Sequence, residues 1–110
     1  NGIEYGITFE YPYTEIPRNK RKEIDILMKI FSTSHQHDAK LVIEAKGRDM
    51  KNYWYGVSLK TLLQKTEEWE TFHYKFRIPT EMTNAEHIKI YVYNPSPAIL
   101  YIDDMQIDFH

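Results

Sequence analysis

The chain has no cysteine and only four glycines among its 110 residues. The first absence excludes disulfides, thiolate metal sites and a cysteine nucleophile. With so little glycine there is no phosphate-cradling loop and no Gly-x-Ser-x-Gly elbow, and the His-Glu-x-x-His pattern is missing as well. No apolar run approaches the ~20 residues that span a bilayer, and no basic segment followed by an apolar one marks a leader. Charge of one sign is also lacking. Fourteen Lys and Arg stand against sixteen Asp and Glu, for a net charge of −2 and a pI near 6.2. Such a chain gathers no phosphates by its overall field, so nucleic acid is not an expected partner.

Aromatic residues are what the sequence has in excess. They make up 15% of the chain, and nine of them are tyrosines. These side chains suit strands, and they also suit surfaces that stack on a ligand. At this length one domain is expected, spanning residues 1–110 and burying somewhat over ~60% of the surface its unfolded chain would expose. The chain opens Asn-Gly rather than with Met, so a processed product or a piece of a larger protein is expected.

Period-two alternation recurs along the chain. GIEYGITFEYPY is rich in strand formers and is punctuated by Pro12 and Pro17, and RNKRK at 18–22 reads as a solvated basic turn. KEIDILMKIF turns Ile24, Ile26, Met28 and Ile30 one way, and AKLVIEAKG does so with Leu41, Ile43 and Ala45. In YWYGVSL, Tyr53, Tyr55, Val57 and Leu59 oppose Trp54, Gly56 and Ser58. TLLQKTEE is a helical turn or a loop. WETFHYKFRIP sets Phe72, Tyr74, Phe76 and Ile78 against His73, Lys75 and Arg77, and HIKIYVYN sets Ile88, Ile90 and Val92 against His87, Lys89, Tyr91 and Tyr93. The last stretch, YIDDMQIDF, places Asp103 in a row with Phe109, Ile107, Met105, Tyr101 and Ile99. Short, regularly spaced strands indicate an all-β sandwich or barrel.

Glu68-Trp69, the stretch Tyr91–Asn94 and Tyr101-Ile102-Asp103-Asp104, in this order among the strands, resemble the galactose-binding-like jelly-roll superfamily, which includes many carbohydrate-binding modules. The likeness covers roughly residues 22–109. It implies a jelly-roll β-sandwich of two antiparallel sheets and a non-catalytic carbohydrate-binding or cell-surface accessory module. Such a module is expected in an extracellular, periplasmic or cell-surface setting beside neighbouring domains of its parent protein. It also implies a structural calcium, which carries over to Asp103 and to Glu10 or Glu4.

The residues themselves leave several readings open. An inward Asp103 must be hydrogen-bonded, ion-paired, metal-bound or protonated, or else lie near solvent at a strand end. Calcium, which takes six to eight oxygens, is one partner. Trp54, Tyr91 and Tyr93 fall on outward parities, interleaved with His87, Lys89, His73 and Arg77. Rings can pack on the C–H faces of sugars while polar neighbours meet the hydroxyls, so Trp54, Tyr91, Tyr93, His87, Lys89 and Arg77 form the expected glycan site. The competing expectation is a structural or protein-interaction domain with no glycan ligand, using the same rings against a neighbour. Trp69 is expected in the core. His35-Gln36-His37-Asp38 matches no closed zinc pattern and reads as a loop. The adjacent carboxylate pairs Glu67-Glu68 and Asp103-Asp104 point to opposite sides of a strand, which makes them poor acid and base partners.

Overall fold

Among the described residues seven strands form, each where the alternation predicts one. The computed structural model describes residues 4–34, 37–96 and 99–110, with residues 4–7 described as backbone only. In chain order they are β1 (Glu4–Pro12), β2 (Glu23–Ser32), β3 (Lys40–Lys46), β4 (Tyr53–Ser58), β5 (Trp69–Arg77), β6 (His87–Asn94) and β7 (Leu100–Phe109). Single 3-10 turns at Tyr13–Glu15, Arg18–Lys20 and Thr80–Met82 help join them. TLLQKTEE forms turns and bends rather than a helix.

The strands assemble into a four-stranded sheet, ordered β1-β6-β3-β4, and a three-stranded sheet, ordered β5-β2-β7. All pairings are antiparallel. Only β3 and β4 are both consecutive and paired, so every other connection crosses from one sheet to the other. That repeated crossing wraps the two sheets about one core, and the fold is an all-β jelly-roll sandwich.

Residues from both sheets supply the core. Ile24, Ile26, Met28 and Ile30 of β2 and Phe72 and Phe76 of β5 meet Leu41, Ile43 and Ala45 of β3 and Ile88, Ile90 and Val92 of β6. Strand β2, between β5 and β7, alternates regularly, with Ile24, Ile26, Met28 and Ile30 buried on one face and the other face half-buried except at the exposed Lys29. The connection after β4 adds Leu59 and Leu63 as an apolar plug.

Between the sheets, the hydroxyls of Tyr55 and Tyr74 lie 2.6 Å apart. Burial, and then the hydrogen bond to Tyr55, push Tyr74 up to about 12. An unfolded tyrosine ionises near ~10, so the folded state holds this proton more tightly than the unfolded chain does. The resulting stabilisation is complete below pH ~10 and is lost as pH rises through about 12. Urea midpoints are therefore expected to fall over that interval, and to fall less steeply in Tyr74→Phe.

The last strand departs from the expected alternation. Phe109, Ile107 and Met105 pack against the core, but so do Ile102 and Leu100, while Asp103, Tyr101 and Ile99 are exposed. Asp103 is therefore not a carboxylate in an inward row. A β-bulge explains the switch. Leu27 faces Gln106 and Lys29 faces Asp103, so β7 uses one residue more than β2 over the same length. Asp104 takes up the extra residue with φ at 54°, which reverses the parity beyond it. Its carboxylate reaches Lys29 Nζ at 3.5 Å.

Asp104→Gly is expected to be neutral or to stabilise by up to about 1 kcal/mol, whereas Asp104→Val is expected to cost about 1–2 kcal/mol. Chemical denaturation of the two variants checks this.

Trp69 is likewise outside the core, at 50% exposed. Counting back by twos from buried Phe72 reaches Glu70, so Trp69 belongs to the outward row of Thr71, His73, Lys75 and Arg77. Glu70 turns to the preceding loop, where its carboxylate accepts the backbone N–H groups of Gln64 and Lys65, each at 3.0 Å.

Candidate functional site

Strand pairing turns the outward residues of the four-stranded sheet into cross-strand rows. Glu10 of β1, Lys89 of β6, Glu44 of β3 and Trp54 of β4 face one another in register. The next row is Thr8, Tyr91, Val42 and Gly56, and the one after it joins Tyr93, Lys40 and Ser58. On the other side of the Lys89 row, His87 stands between Pro12 and Lys46. Rows on one face are about 6.6 Å apart and neighbouring strands about 4.8 Å apart. Trp54, Tyr91, Tyr93, His87 and Lys89 thus share one surface.

Trp54 is its most exposed ring, at 53%. The indole leans along β4 onto Gly56, so closely that a Cβ at Gly56 would lie 2.4 Å from Trp54 Cη2. A glycine two residues on leaves bare backbone for the ring to rest on. The ammonium of Lys40 lies 5.9 Å from the ring centroid, within cation–π range.

Tyr91 differs from the expected exposed ring, because only 8% of it is accessible. Strand β6 is interior to its sheet, and Thr8 and Val42 flank the ring on either side. Its hydroxyl donates to Glu44 Oε2, and Lys89 Nζ sits 5.6 Å from its centroid. Tyr91 therefore orients Glu44 and Lys89 more than it offers a face. Tyr93, near the end of β6, is half-buried.

Beside these rings, Glu10, Glu44, Lys46, His87, Ile88 and Lys89 line a depression of about 80 Å³. It is small and mixed in character, with acceptors and a donor alternating along the row Glu10, Lys89, Glu44. Sequence reasoning missed Glu44 and Gly56. Their signal was present as outward parity in LVIEAKG and as the glycine two places after Trp54 in YWYGVSL.

The remaining nominated residues separate. Arg77 lies on β5 in the three-stranded sheet, so it does not share the surface of Trp54. Asp103 and Glu10, nominated as calcium ligands, do not converge. Phe9 and Phe109 approach with centroids 6.3 Å apart, and Asp103 lies six residues back along β7, roughly 20 Å away. Each carboxylate faces outward from a different sheet. The side chain of Glu4 lies outside the described residues, as do His35 and Gln36. His37 is buried and accepts the Ala39 N–H at Nδ1 (3.3 Å), whereas Asp38 is exposed. Among the described residues no three His, Cys, Asp or Glu side chains group as a metal site, and no helix is long and apolar enough to cross a membrane.

No known protein family matches the chain, and no curated protein does. Among solved structures it is similar to one described as "CBM4 structure and function". The identity is 11% and the TM-score 0.44, over 98% of this chain and 72% of the other. A likeness at that level carries no argument about ligand or site.

Proposed function

We propose that the domain is a non-catalytic carbohydrate-binding module whose ligand lies across the outer face of the four-stranded sheet. The observation that carries this reading is the half-exposed Trp54 indole, seated on Gly56 beside the polar depression of Glu10, Glu44, His87 and Lys89. A pyranose presents an apolar C–H face and an equatorial fringe of hydroxyls, and this surface offers a flat ring next to both donors and acceptors. The balanced charge of the depression, Glu10 and Glu44 against Lys46 and Lys89, favours a neutral or weakly polar oligosaccharide or polysaccharide. Glycoside hydrolysis requires two carboxyls across the scissile bond. Here the outward carboxylates Glu10 and Glu44 stand on strands to either side of β6, with Lys89 between them in register. Affinity per site is expected to be weak and to be raised by attachment to a larger protein.

Affinity electrophoresis and calorimetry against plant and microbial polysaccharides, with Trp fluorescence as a second readout, test this reading. Retardation together with a fluorescence change supports it. No binding across neutral glycans would sink it.

One observation favours a second reading, a structural or protein-interaction domain. On the three-stranded sheet Trp69, Phe31 and Tyr101 face one another in a single cross-strand row, with ring centroids 5.6 and 6.0 Å apart. Trp69, Tyr101 and the neighbouring Ile99 are each about half exposed. Such a patch suits a neighbouring domain. Under this reading Trp69→Ser combined with Tyr101→Ser abolishes docking to the parent protein's adjacent domain, and glycans bind neither form.

A further inference from the structure

The end of the sandwich where β2 begins and β5 and β7 finish holds a cleft of about 450 Å³, lined by Arg21, Lys22, Glu23, Arg77, Ile78 and His110. A second hollow of about 240 Å³ adjoins it, sharing Arg21 and Ile78 and adding Arg18, Pro79, Thr80 and Thr83. The basic turn at 18–22 is therefore a wall of a concave surface. Main-chain bonds hold its frame. Ile78 N–H donates to the Lys22 carbonyl, the Lys22 and Glu23 N–H groups donate to the main-chain oxygen of His110, and His110 N–H donates to the Glu23 carbonyl, all at 2.9 Å.

Arg21 is fixed at the junction of the two hollows. Its guanidinium lies 4.9 Å from the centroid of the Tyr13 ring, Nε donates to the Ile16 carbonyl at 2.8 Å, and Nη2 donates to the Thr14 carbonyl at 3.2 Å. These bonds orient its charge without neutralising it. Among the described residues, none of Arg18, Arg21, Lys22 and Arg77 has a carboxylate at ion-pair distance. The one carboxylate of the lining, Glu23, is matched by Lys75 at 4.0 Å. Four cations thus line the two hollows, in a chain whose net charge is −2.

We propose that these joined hollows bind an acidic oligosaccharide through carboxylate or sulfate groups carried on its sugar rings. Arg and Lys pair with such oxyanions through charge-assisted hydrogen bonds, bidentate in the case of Arg. Ile78 and Pro79 supply apolar contact for ring C–H faces, and the Thr80 side chain supplies a hydroxyl at the rim, whereas Thr83 Oγ1 donates to the Thr80 carbonyl and is left as an acceptor. The larger cleft, at about 450 Å³, falls in the range of small-molecule sites, ~300–1,000 Å³, and the smaller hollow extends it. A nucleic acid strand would need a ring on which to stack its bases, and Tyr13 is buried beneath Arg21 at 1% exposed. That the anion is borne on a sugar rests on the glycan-binding reading above, but the cleft does not overlap the Trp54 surface.

Amide chemical-shift titration of the intact domain tests the proposal with five probes: a uronic-acid oligomer, a sulfated oligosaccharide of similar length, a neutral glucose oligomer, sodium sulfate and a single-stranded oligonucleotide. The expected result is that one or both acidic oligomers shift the amides around residues 21–23 and 77–80, and the responding oligomer identifies the anion. Lys22→Gln combined with Arg77→Gln, both at exposed positions, is expected to weaken that binding at least about tenfold, and raised salt to weaken it too. Trp54→Ala is expected to leave it unchanged, so failure of the Trp54 surface to bind neutral glycans is read separately. Absence of a response to both acidic oligomers overturns the proposal. So does an equal response to sodium sulfate alone, undiminished binding by the double variant, or tighter binding of a single-stranded oligonucleotide.

Discussion

Trp54→Ala is expected to weaken neutral-polysaccharide binding by about tenfold to a hundredfold, equivalent to roughly 1.4–2.8 kcal/mol. Among the described residues the ring is the largest exposed apolar plane on the four-stranded sheet, and its removal leaves chiefly hydrogen-bonding groups that must compete with water. Two further variants separate this effect from damage to the fold. Gly56→Ala keeps the indole but sets a Cβ 2.4 Å from Cη2. The ring can swing away, so affinity is expected to fall severalfold while the melting temperature stays within a few degrees. Trp69→Ala removes a ring of similar exposure from the opposite sheet and is expected to leave affinity unchanged. Equal losses from Trp54→Ala and Trp69→Ala would mean that the four-stranded face is not the site.

The largest expected change in stability is for Ile90→Ala. Ile90 is fully buried on interior strand β6, in register with Phe9 of β1 and Ile43 of β3. Truncation removes three carbons from a site walled by two neighbouring strands and the facing sheet, which has little freedom to collapse. A cost of about 2–5 kcal/mol follows, a large part of the ~5–15 kcal/mol that holds a domain of this kind together. Melting is expected to fall by about 10–25 °C, with an unchanged urea m-value and a lower midpoint. Ile99→Ala, at a position 52% exposed, is expected to change stability by no more than about 0.5 kcal/mol.

Legibility of the sequence varied from strand to strand for identifiable reasons. The row Ile24, Ile26, Met28, Ile30 could be read directly because β2 is regular and buries one face from end to end. The same counting rule failed on β7, where a single left-handed residue, Asp104, moved Asp103 from the inner row to the outer surface. Nothing in the spacing of YIDDMQIDF marks that bulge, since its position is set by pairing with Leu27 and Lys29. Trp69 was misplaced because a large aromatic at a strand start was credited to the core, although period two from Phe72 assigns it outward. Tyr91 had the right parity and the wrong exposure, because parity reports a face and not how crowded that face is.

The candidate sites show the same division. Local alternation was enough to put Trp54, His87, Lys89, Tyr91 and Tyr93 on outward parities, because side chains along a regular, unbulged strand point to alternate faces. Whether two outward parities meet depends on which strands pair and in what register, and those contacts join residues far apart in sequence. Long-range pairing alone decided that Glu10, Lys89, Glu44 and Trp54 form one row, that Arg77 falls on the other sheet, and that the basic turn at 18–22 closes a cleft with Arg77 and His110. By itself the sequence determined an all-β chain, the inner faces of its regular strands and an excess of outward aromatics. The tertiary structure decided which of those aromatics lie exposed and what stands beside them, because only assembly of the two sheets sets neighbours across strands.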